Sequence, residues 1–369
     1  MPSLTDLAPP HVLNFESYVP SRPDEVLMRQ YGVDRLLRLN NNENALGPPP
    51  AAREVLDAFP PVRGAVYPSG DCFFLREALG RAFGKDPERF LVGNGSCEVI
   101  TSVIKAFCQP GDSIVTADKT FAVYEWVAAF SGIDARLVPL KVYAQDPDAM
   151  LDAVTERTKI VFVCNPNNPT GTWWDKATLE RFLAGIGGRT VVVLDEAYRE
   201  FVDSPDFPDG MEVMERHPNV LVFRTFSKMY GLAALRVGYL CGGQEAVDIV
   251  RRTHLVYSVN TPGQMAARAA LEDGSGHLEA TRRMVVQARG YLRSVFDSLG
   301  IEHVSGEGNY IMARVPVPDT LLYRLLMRQG VMIRTMTGFR FPNWIRVTLA
   351  QEPAMEAFSM AFRKALDGR

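Results

Sequence analysis

Three chemically active side chains each follow an apolar segment in the second half of the sequence. Asp195 ends the segment TVVVLD, Lys228 ends TFSK, and Arg236 lies in LRVGY. A lysine amine can bond covalently to a carbonyl carbon, a carboxylate can hold a nearby nitrogen protonated, and a guanidinium can bind phosphate through two hydrogen bonds. The hydroxyls of Thr225 and Ser227 could bind the same phosphate. The set therefore indicates covalent catalysis with a phosphorylated cofactor.

Two further polar motifs complete the requirements of one particular cofactor, pyridoxal 5'-phosphate (PLP). Residues 164–171 read CNPNNPTG, and residues 195–198 read DEAY. PLP enzymes need a lysine for a Schiff base, an acid facing the pyridine nitrogen so that the ring accepts electrons, and donors to the phenolate oxygen, which an asparagine and a tyrosine can supply. Taken singly, the motifs could be a turn, a helix cap and a solvated lysine. Together, each behind its own predicted strand, they favour a PLP site.

A glycine loop at residues 93–96 (GNGS) leads directly into an amphipathic segment that begins near Cys97. Backbone amides at the start of a helix bind anions, so the loop is a candidate phosphate site. It does not match the dinucleotide-binding pattern GxGxxG, because the third glycine position is occupied by Glu98.

From about residue 40 onward, short apolar segments alternate with longer amphipathic ones. The segments that predict strands apolar on both faces are residues 113–118, 159–165, 190–196 and 219–226. Segments 97–107 and 175–186 predict helices between them. This alternation predicts an α/β domain with a mostly parallel sheet, and the polar motifs fall at the strand ends, where such sheets bind ligands.

The length of 369 residues suggests more than one domain. We divide the chain into a proline-punctuated arm at 1–40 that joins the small domain, a large PLP-binding domain at 41–265 and a small α+β domain at 266–369. The last of these contains a long amphipathic helix at 277–300, and strand-like segments at 309–315 and 344–350.

The composition argues against several other classes of protein. The net charge is −3, from 40 basic and 43 acidic side chains without a basic run, so no nucleic-acid partner is expected. We see no signal peptide and no apolar segment near the ~20 residues that span a bilayer. Five widely spaced cysteines are typical of a reducing compartment, and five scattered histidines predict no metal site. We therefore expect a cytoplasmic protein without membrane contact.

The sequence resembles the fold-type-I PLP enzymes and, more closely, the histidinol-phosphate aminotransferases. The resemblance covers nearly the whole chain, and it is carried by SYVPSRP, NNNENALGPPP, YPSG, GNGSCE, NPNNPTG, DEAYREF, FSKMYGLAALRVGY and IRVTLA. The last four motifs together are highly specific for the superfamily. The resemblance implies a large α/β domain with a mostly parallel central sheet and a small α+β domain.

The resemblance also implies a role for each matching residue. Lys228 would form the Schiff base and move a proton, and Asp195 would pair with the pyridine nitrogen. Asn168 and Tyr198 would contact the phenolate oxygen, and Phe121 would stack on the ring. The implied phosphate ligands are Ser96, the Cys97 amide, Thr225, Ser227 and Arg236. Tyr67 would reach into the neighbouring subunit's site, which implies a homodimer with shared active sites. The implied substrate ligands are Arg346, Arg334 and Tyr18.

Two residues depart from the family pattern. Cys97 replaces the usual aspartate after GNGS, and Phe121 replaces the more frequent tyrosine. Cys97 could be an inert helix-start residue or a nucleophile whose pKa is lowered by the helix N-terminus. Arg346 and Arg334 could instead be surface arginines of strands, Arg334 on an edge strand, and Tyr18 could be a packing aromatic.

The resemblance implies ping-pong amino transfer, with L-histidinol phosphate as the expected amine and 2-oxoglutarate as the acceptor. Paired guanidiniums at Arg334 and Arg346 favour a dianionic phosphate over a single carboxylate. An aromatic or other amino-acid aminotransferase on the same framework is the main alternative. A PLP decarboxylase, an oxygen-using PLP enzyme and a non-catalytic PLP-fold module also remain open, although the retention of Lys228, Asp195 and Arg236 argues against the last.

Overall fold

The computed structural model describes residues 3–17 and 22–367 of the chain. Its strands are β1 (Leu37–Leu39), β2 (Phe90–Asn94), β3 (Ser113–Ala117), β4 (Asp134–Val138), β5 (Thr158–Cys164), β6 (Val191–Asp195), β7 (Val220–Thr225), β8 (Val237–Cys241), β9 (His303–Val304), β10 (Tyr310–Arg314), β11 (Val331–Thr335) and β12 (Trp344–Thr348). Its α-helices are α1 (Leu4–Leu7), α2 (Pro10–Leu13), α3 (Asp24–Tyr31), α4 (Pro50–Asp57), α5 (Phe73–Phe83), α6 (Ser96–Phe107), α7 (Val123–Phe130), α8 (Pro147–Asp152), α9 (Lys176–Ile186), α10 (Gly210–Arg216), α11 (Gln244–Arg251), α12 (Thr261–Leu271), α13 (His277–Ser298), α14 (Asp319–Met327) and α15 (Glu352–Asp367). Within these ranges, no helix is long and apolar enough to cross a membrane.

Seven strands form the larger sheet, in the order β2-β8-β7-β6-β5-β3-β4. From β7 to β4 the neighbours pair in parallel, and β8 is antiparallel to both β7 and β2. The four strands predicted from apolar segments are β3, β5, β6 and β7, each within about one residue of its predicted limits. The predicted α/β fold with a mostly parallel central sheet is confirmed.

Both faces of the larger sheet are buried, which explains why its strands are apolar at successive positions. In β6, Val192 and Leu194 belong to one apolar cluster, and Val193 belongs to another on the opposite face. Helices α6, α7 and α11 contribute to the second cluster, whereas α5, α9 and α12 contribute to the first. A strand between two helical layers exposes neither set of alternating side chains to water.

Five strands form the smaller sheet, in the order β1-β11-β12-β10-β9. β1 comes from the N-terminal part of the chain and pairs in parallel with β11, and the remaining pairs are antiparallel. Helices α13 and α14 pack on this sheet, and α15 packs on both helices. The division into domains stays a prediction, and its proposed boundary after residue 265 falls inside α12, which packs on α4 and α5.

The parallel strands β5, β6 and β7 end at one edge of the larger sheet. Their last residues are Cys164, Asp195 and Thr225. Cys164 and Asp195 are paired across β5 and β6. The CNPNNPTG, DEAY and TFSK motifs therefore begin side by side, at the edge where open α/β sheets bind ligands.

Candidate active site

A cavity of about 140 Å³ lies at this edge of the sheet. It is lined by Ser96, Cys97, Phe121, Cys164, Asn168, Asp195, Ala197, Tyr198, Thr225, Ser227, Lys228 and Arg236. Every residue predicted to bind the cofactor is among them except Tyr67. The structure therefore brings together, from five separate parts of the sequence, the side chains that were predicted to bind the cofactor.

Lys228 lies in the loop that follows β7. Its Nζ donates a 2.8 Å hydrogen bond to the carbonyl oxygen of Asn41. Burial, with a smaller contribution from the Arg346 charge, lowers the pKa of Lys228 to about 7. A large fraction of this side chain is therefore a neutral amine at neutral pH, which is the form that attacks a carbonyl carbon.

Asp195 is a buried carboxylate without a cationic partner among the described residues. Its side chain is 2% exposed. Oδ2 accepts a 2.5 Å hydrogen bond from the Tyr124 hydroxyl, and Oδ1 accepts one of 3.1 Å from the Ala197 amide. Burial raises the pKa of Asp195 to about 6. A protonated ring nitrogen placed in this cavity would supply the positive charge that the carboxylate lacks.

A cradle for an anion lies between the start of α6 and Arg236. A Cβ built on Gly95 would stand 2.4 Å from Nη2 of Arg236, and a Cβ on Gly238 would stand 2.7 Å from the Ser96 amide nitrogen. Both glycines are therefore required for the guanidinium and the first amide of α6 to lie where they do. Arg236 has no carboxylate partner among the described residues, and amides at a helix N-terminus favour anions. With the hydroxyls of Thr225 and Ser227, this cradle fits a phosphate.

Two further hydrogen-bond donors line the cavity. The Tyr198 hydroxyl accepts a 2.9 Å hydrogen bond from Nδ2 of Asn42. Burial raises the pKa of Tyr198 to about 12, so its hydroxyl keeps the proton that it can donate. Oδ1 of Asn168 accepts a 2.5 Å hydrogen bond from Nη1 of Arg346, and the amide NH2 of Asn168 is its remaining donor. Together with the lysine, the acid and the anion cradle, these donors fit PLP.

Tyr124 is a site residue that the sequence motifs do not predict. Tyr124 is fully buried, donates to Asp195, and meets Phe121 edge-on with ring centroids 5.6 Å apart. The signal in the sequence is its position in the first turn of α7, three residues after Phe121. That signal is weak, because a buried tyrosine on an apolar helix is an ordinary core residue.

The NNNENALG motif makes three contacts to site residues that its sequence does not predict. The carbonyl of Asn41 accepts from Lys228, the side chain of Asn42 donates to Tyr198, and the carbonyl of Asn40 accepts a 3.0 Å hydrogen bond from Nη2 of Arg346. Two of these contacts are made by backbone atoms, for which the identity of the side chain carries no information. The segment after β1 therefore holds three side chains of the site by hydrogen bonds.

Arg334 and Arg346 are directly opposite each other on β11 and β12. Arg346 is 5% exposed, and its Nε has no hydrogen-bond partner among the described residues. Burial lowers the pKa of Arg346, and the Arg334 charge lowers it further. The alternative that Arg334 lies on an edge strand is wrong, because β1 pairs with β11 on the side away from β12.

Three further residues were predicted for the site, namely Tyr67, Tyr18 and Cys97. Tyr67 is 83% exposed, and its ring contacts that of Tyr257 with centroids 5.2 Å apart. Tyr18 lies outside the described residues. Burial raises the pKa of the Cys97 thiol and outweighs the nearby Arg236 charge, which favours the inert residue over the nucleophile.

Comparison with known proteins identifies the family. The family described as Aminotransferase class I and II matches residues 34–357. The chain belongs to this family. The aminotransferase is 39% identical to the histidinol-phosphate aminotransferase of Moorella thermoacetica, over 96% of this chain and 92% of the relative. It is 40% identical to the histidinol-phosphate aminotransferase of Anaeromyxobacter sp., over 93% and 94% of the two chains.

Solved structures agree with the fold of this aminotransferase. Histidinol-phosphate aminotransferase from Sinorhizobium meliloti, in complex with PLP, superposes with a TM-score of 0.86 at 24% identity and covers 97% of both chains. Aspartate aminotransferase from Thermus thermophilus with maleate gives 0.79 at 22% identity, over 96% of this chain and 99% of the other. The predictions of the fold-type-I fold and of a PLP-dependent aminotransferase are confirmed.

Proposed function

We propose that this aminotransferase takes the amino group of L-histidinol phosphate and delivers it to 2-oxoglutarate. The observation that carries the proposal is the pairing of Arg334 with Arg346 beside the cavity, where Arg346 contacts Asn168. The two relatives at 39% and 40% identity bear the name histidinol-phosphate aminotransferase. A histidinol-phosphate aminotransferase would act in histidine biosynthesis.

The arginine pair has an electrostatic cost that an anionic ligand would offset. Like charges directly opposite each other on neighbouring strands repel, and burying the Arg346 charge adds a cost of desolvation. No carboxylate of the described chain forms an ion pair with either guanidinium. A phosphate monoester carries two negative charges, and each charge-assisted hydrogen bond contributes about 1.5–3 kcal/mol. Two guanidiniums therefore favour a phosphate over a single carboxylate.

Different residues of the cavity would bind different parts of the cofactor. Asp195 would hold the ring nitrogen protonated, Phe121 would lie against the ring, and Asn168 and Tyr198 would donate to its phenolate oxygen. The phosphate would be held by Ser96, the Cys97 amide, Thr225, Ser227 and Arg236. When bound, PLP supplies an electron sink that stabilises negative charge at the substrate carbon that carries the amino group.

Lys228 would move the proton of the reaction. With a pKa of about 7, its amine can accept a proton from the substrate carbon at neutral pH and return it later. In the second half of the ping-pong reaction, 2-oxoglutarate presents two carboxylates, so that the same two arginines could bind it. Tyr18 stays a predicted substrate contact, because it lies outside the described residues.

We also propose a homodimer in which Tyr67 completes the partner's site. Tyr67 and Tyr257 are both exposed and in contact with each other. Large apolar side chains close to them in sequence are also exposed, namely Val62, Val66, Phe73, Phe74, Leu255 and Val256. An exposed apolar surface of this kind marks an interaction site, and a second copy of the chain would cover it.

All five cysteines are unpaired. This supports a reducing compartment, and we place the enzyme in the cytoplasm.

The substrate proposal is tested by comparing kcat/KM for L-histidinol phosphate and phenylalanine, with 2-oxoglutarate as the acceptor. We expect the wild type to favour the phosphate, and Arg334→Ala to lose at least about tenfold in kcat/KM for it, the cost of one charged hydrogen bond. Arg314→Ala is the matched control, because Arg314 lies on the same sheet but is exposed and paired with Glu302. A wild type that uses phenylalanine as well as the phosphate, with no effect of Arg334→Ala, would favour the aromatic aminotransferase instead.

A further inference from the structure

The ring of Phe339 lies within 6 Å of both arginines of the proposed substrate site. The guanidinium carbon of Arg334 is 5.6 Å from the centroid of this ring, and that of Arg346 is 5.9 Å from it. Phe339 ends the short 3₁₀ turn Thr337–Phe339, which connects β11 to β12 and therefore joins the strands that carry both arginines. One aromatic ring thus contacts both charges of the pair.

The turn that carries Phe339 is held on two sides. The buried carboxylate of Asp319 accepts hydrogen bonds from the Met336 amide at 2.8 Å, the Thr337 amide at 2.9 Å and the Thr337 hydroxyl at 2.7 Å. On the other side, Arg340 pairs with Glu125 at 2.7 Å and donates to the Asp118 carbonyl at 2.7 Å. The hydrogen bonds to Asp319 fix the turn to α14, which packs on the smaller sheet. The contacts of Arg340 fix it to α7 and to the residue after β3 of the larger sheet.

Arg334 depends on this ring more than Arg346 does. Arg346 is held by Asn168 and the Asn40 carbonyl, and its guanidinium also lies 5.5 Å from the Tyr310 ring. For Arg334, no hydrogen bond or ion pair connects the guanidinium to another residue within 3–17 or 22–367. A long, half-exposed side chain that is repelled by a neighbouring charge extends into solvent unless a contact holds it. The electron-rich face of Phe339 is such a contact.

We propose that Phe339 is a specificity-determining residue, whose ring holds Arg334 and Arg346 together as one binding site for a dianionic phosphate group. This inference rests on the proposed function. Phe339 touches no reacting atom, so it acts by positioning the arginines. Removing its ring should weaken recognition of the second negative charge while leaving the chemistry at Lys228 intact.

The test uses the holoenzyme and two measurements. The first is kcat and KM for L-histidinol phosphate and phenylalanine, and the second is the dissociation constant of inorganic phosphate by calorimetry. For Phe339→Leu we expect KM for the phosphate substrate and the dissociation constant of phosphate to rise about tenfold, the worth of a partly desolvated cation–π contact, with kcat changed less than about twofold. Phe339→Tyr keeps the aromatic face and should stay within about twofold of the wild type in both measurements.

Phe341→Leu is the matched control, since it makes the same change two residues away. Nζ of Lys119 lies 5.6 Å from the centroid of the Phe341 ring. Within the described structure, no contact joins the Phe341 ring to either arginine. An equal loss in Phe341→Leu and Phe339→Leu would mean that the turn is merely structural, and would overturn the inference. If the wild type prefers histidinol phosphate and Phe339→Leu binds phosphate as tightly as the wild type does, the inference about Phe339 is also overturned. The proposed function is unaffected by that result. A wild type without that preference overturns both.

Discussion

The Tyr124 hydroxyl donates a 2.5 Å hydrogen bond to Oδ2 of Asp195, and both side chains are buried. The Tyr124 ring also stacks on Phe162, with centroids 4.5 Å apart, and meets the edge of Phe121 at 5.6 Å. A single core side chain therefore connects the carboxylate proposed for the ring nitrogen with the aromatic proposed for the ring face. Packing of the core and electrostatics of the site are coupled at this residue.

The substitution Tyr124→Phe should lower kcat while the purified protein still contains PLP. The hydrogen bond from Tyr124 lowers the pKa of Asp195, so its loss raises that pKa further above its ordinary value. Asp195 then holds its charge over a narrower pH range, and the acid limb of the kcat profile should move to higher pH. A hydrogen bond to a charged group is worth about 1.5–3 kcal/mol, and a rise of that size from a pKa of about 6 predicts a fall in kcat of about two- to fifteenfold at pH 7.

The measurements for Tyr124→Phe are kcat as a function of pH and the PLP content of the purified protein. Phe162→Leu serves as the control, because it disturbs the same stacked pair and leaves the hydroxyl of Tyr124 in place. An acid limb that does not move in Tyr124→Phe, or that moves equally in the control, would contradict an electrostatic role for the hydroxyl.

The buried charge of Asp195 should cost stability in the cofactor-free protein. Its pKa is about 6 in the folded protein against an ordinary value of 3.8, so the folded state holds this proton more tightly than the unfolded state. The favourable contribution of the protonated form is present below about pH 4 and is lost as the pH rises to about 6, a change of about 3 kcal/mol. Cofactor-free Asp195→Asn should therefore be more stable than the cofactor-free wild type at pH 8, and this advantage should disappear near pH 4.

Urea unfolding at both pH values measures this difference. The same substitution should reduce turnover at least about a hundredfold, because an unprotonated ring nitrogen is a poor electron sink. A cofactor-free Asp195→Asn protein that is less stable than the wild type at pH 8 would mean that the carboxylate stabilises the fold, contrary to its lack of a cationic partner.

Lys228 should capture the cofactor fastest above neutral pH. Its pKa is lowered from an ordinary 10.5 to about 7, so the amine is protonated and unreactive below this value and neutral above it. The rate constant for PLP incorporation into the cofactor-free enzyme should rise about eightfold from pH 5.5 to 6.5 and level off above about pH 8. Stopped-flow absorbance measures this rate. A rate that continues to rise to pH 10 would indicate an unperturbed lysine.

The chemistry of the cavity could be predicted because its residues stand at the ends of buried strands. Asp195 and Thr225 end β6 and β7, whose apolar segments are conspicuous, and parallel pairing brings such ends together without knowledge of the loops. Because side chains alternate between the two faces of a strand, a residue next to a site residue can point away from the cavity. Glu196 and Arg224 are sequence neighbours of these two residues, yet they form a buried ion pair of 2.8 Å with each other and line no part of the cavity.

Other parts of the site depend on contacts between distant segments, which no local pattern records. Tyr124 reaches Asp195 across 71 residues of sequence, and its role depends on the angle at which α7 packs. The Asn41 carbonyl contacts Lys228 through a backbone atom. The position of Arg334 on an inner strand depends on β1, whose three residues Leu37–Leu39 are too short to show a strand pattern.

A shared active site makes a quantitative prediction for mixed dimers. If Tyr67 serves the partner's cavity, a dimer of one Tyr67→Ala subunit and one Lys228→Ala subunit contains one site with both residues intact. Random exchange at equal concentrations makes about half of the dimers mixed, so about a quarter of all sites are intact. Two preparations that are each inactive should therefore regain about a quarter of the wild-type activity after mixing.

The control for this experiment mixes Lys228→Ala with Asp195→Ala subunits. Lys228 and Asp195 line the same cavity within one chain. A mixed dimer of these two variants therefore has one defect in each site, and no activity should return. Subunit exchange is verified in both mixtures by a mass tag on one partner. Exchange without recovery in the Tyr67 mixture would mean that each subunit works without Tyr67 of its neighbour. Recovery in both mixtures would instead place Asp195 or Lys228 across the interface, contrary to the single-chain cavity.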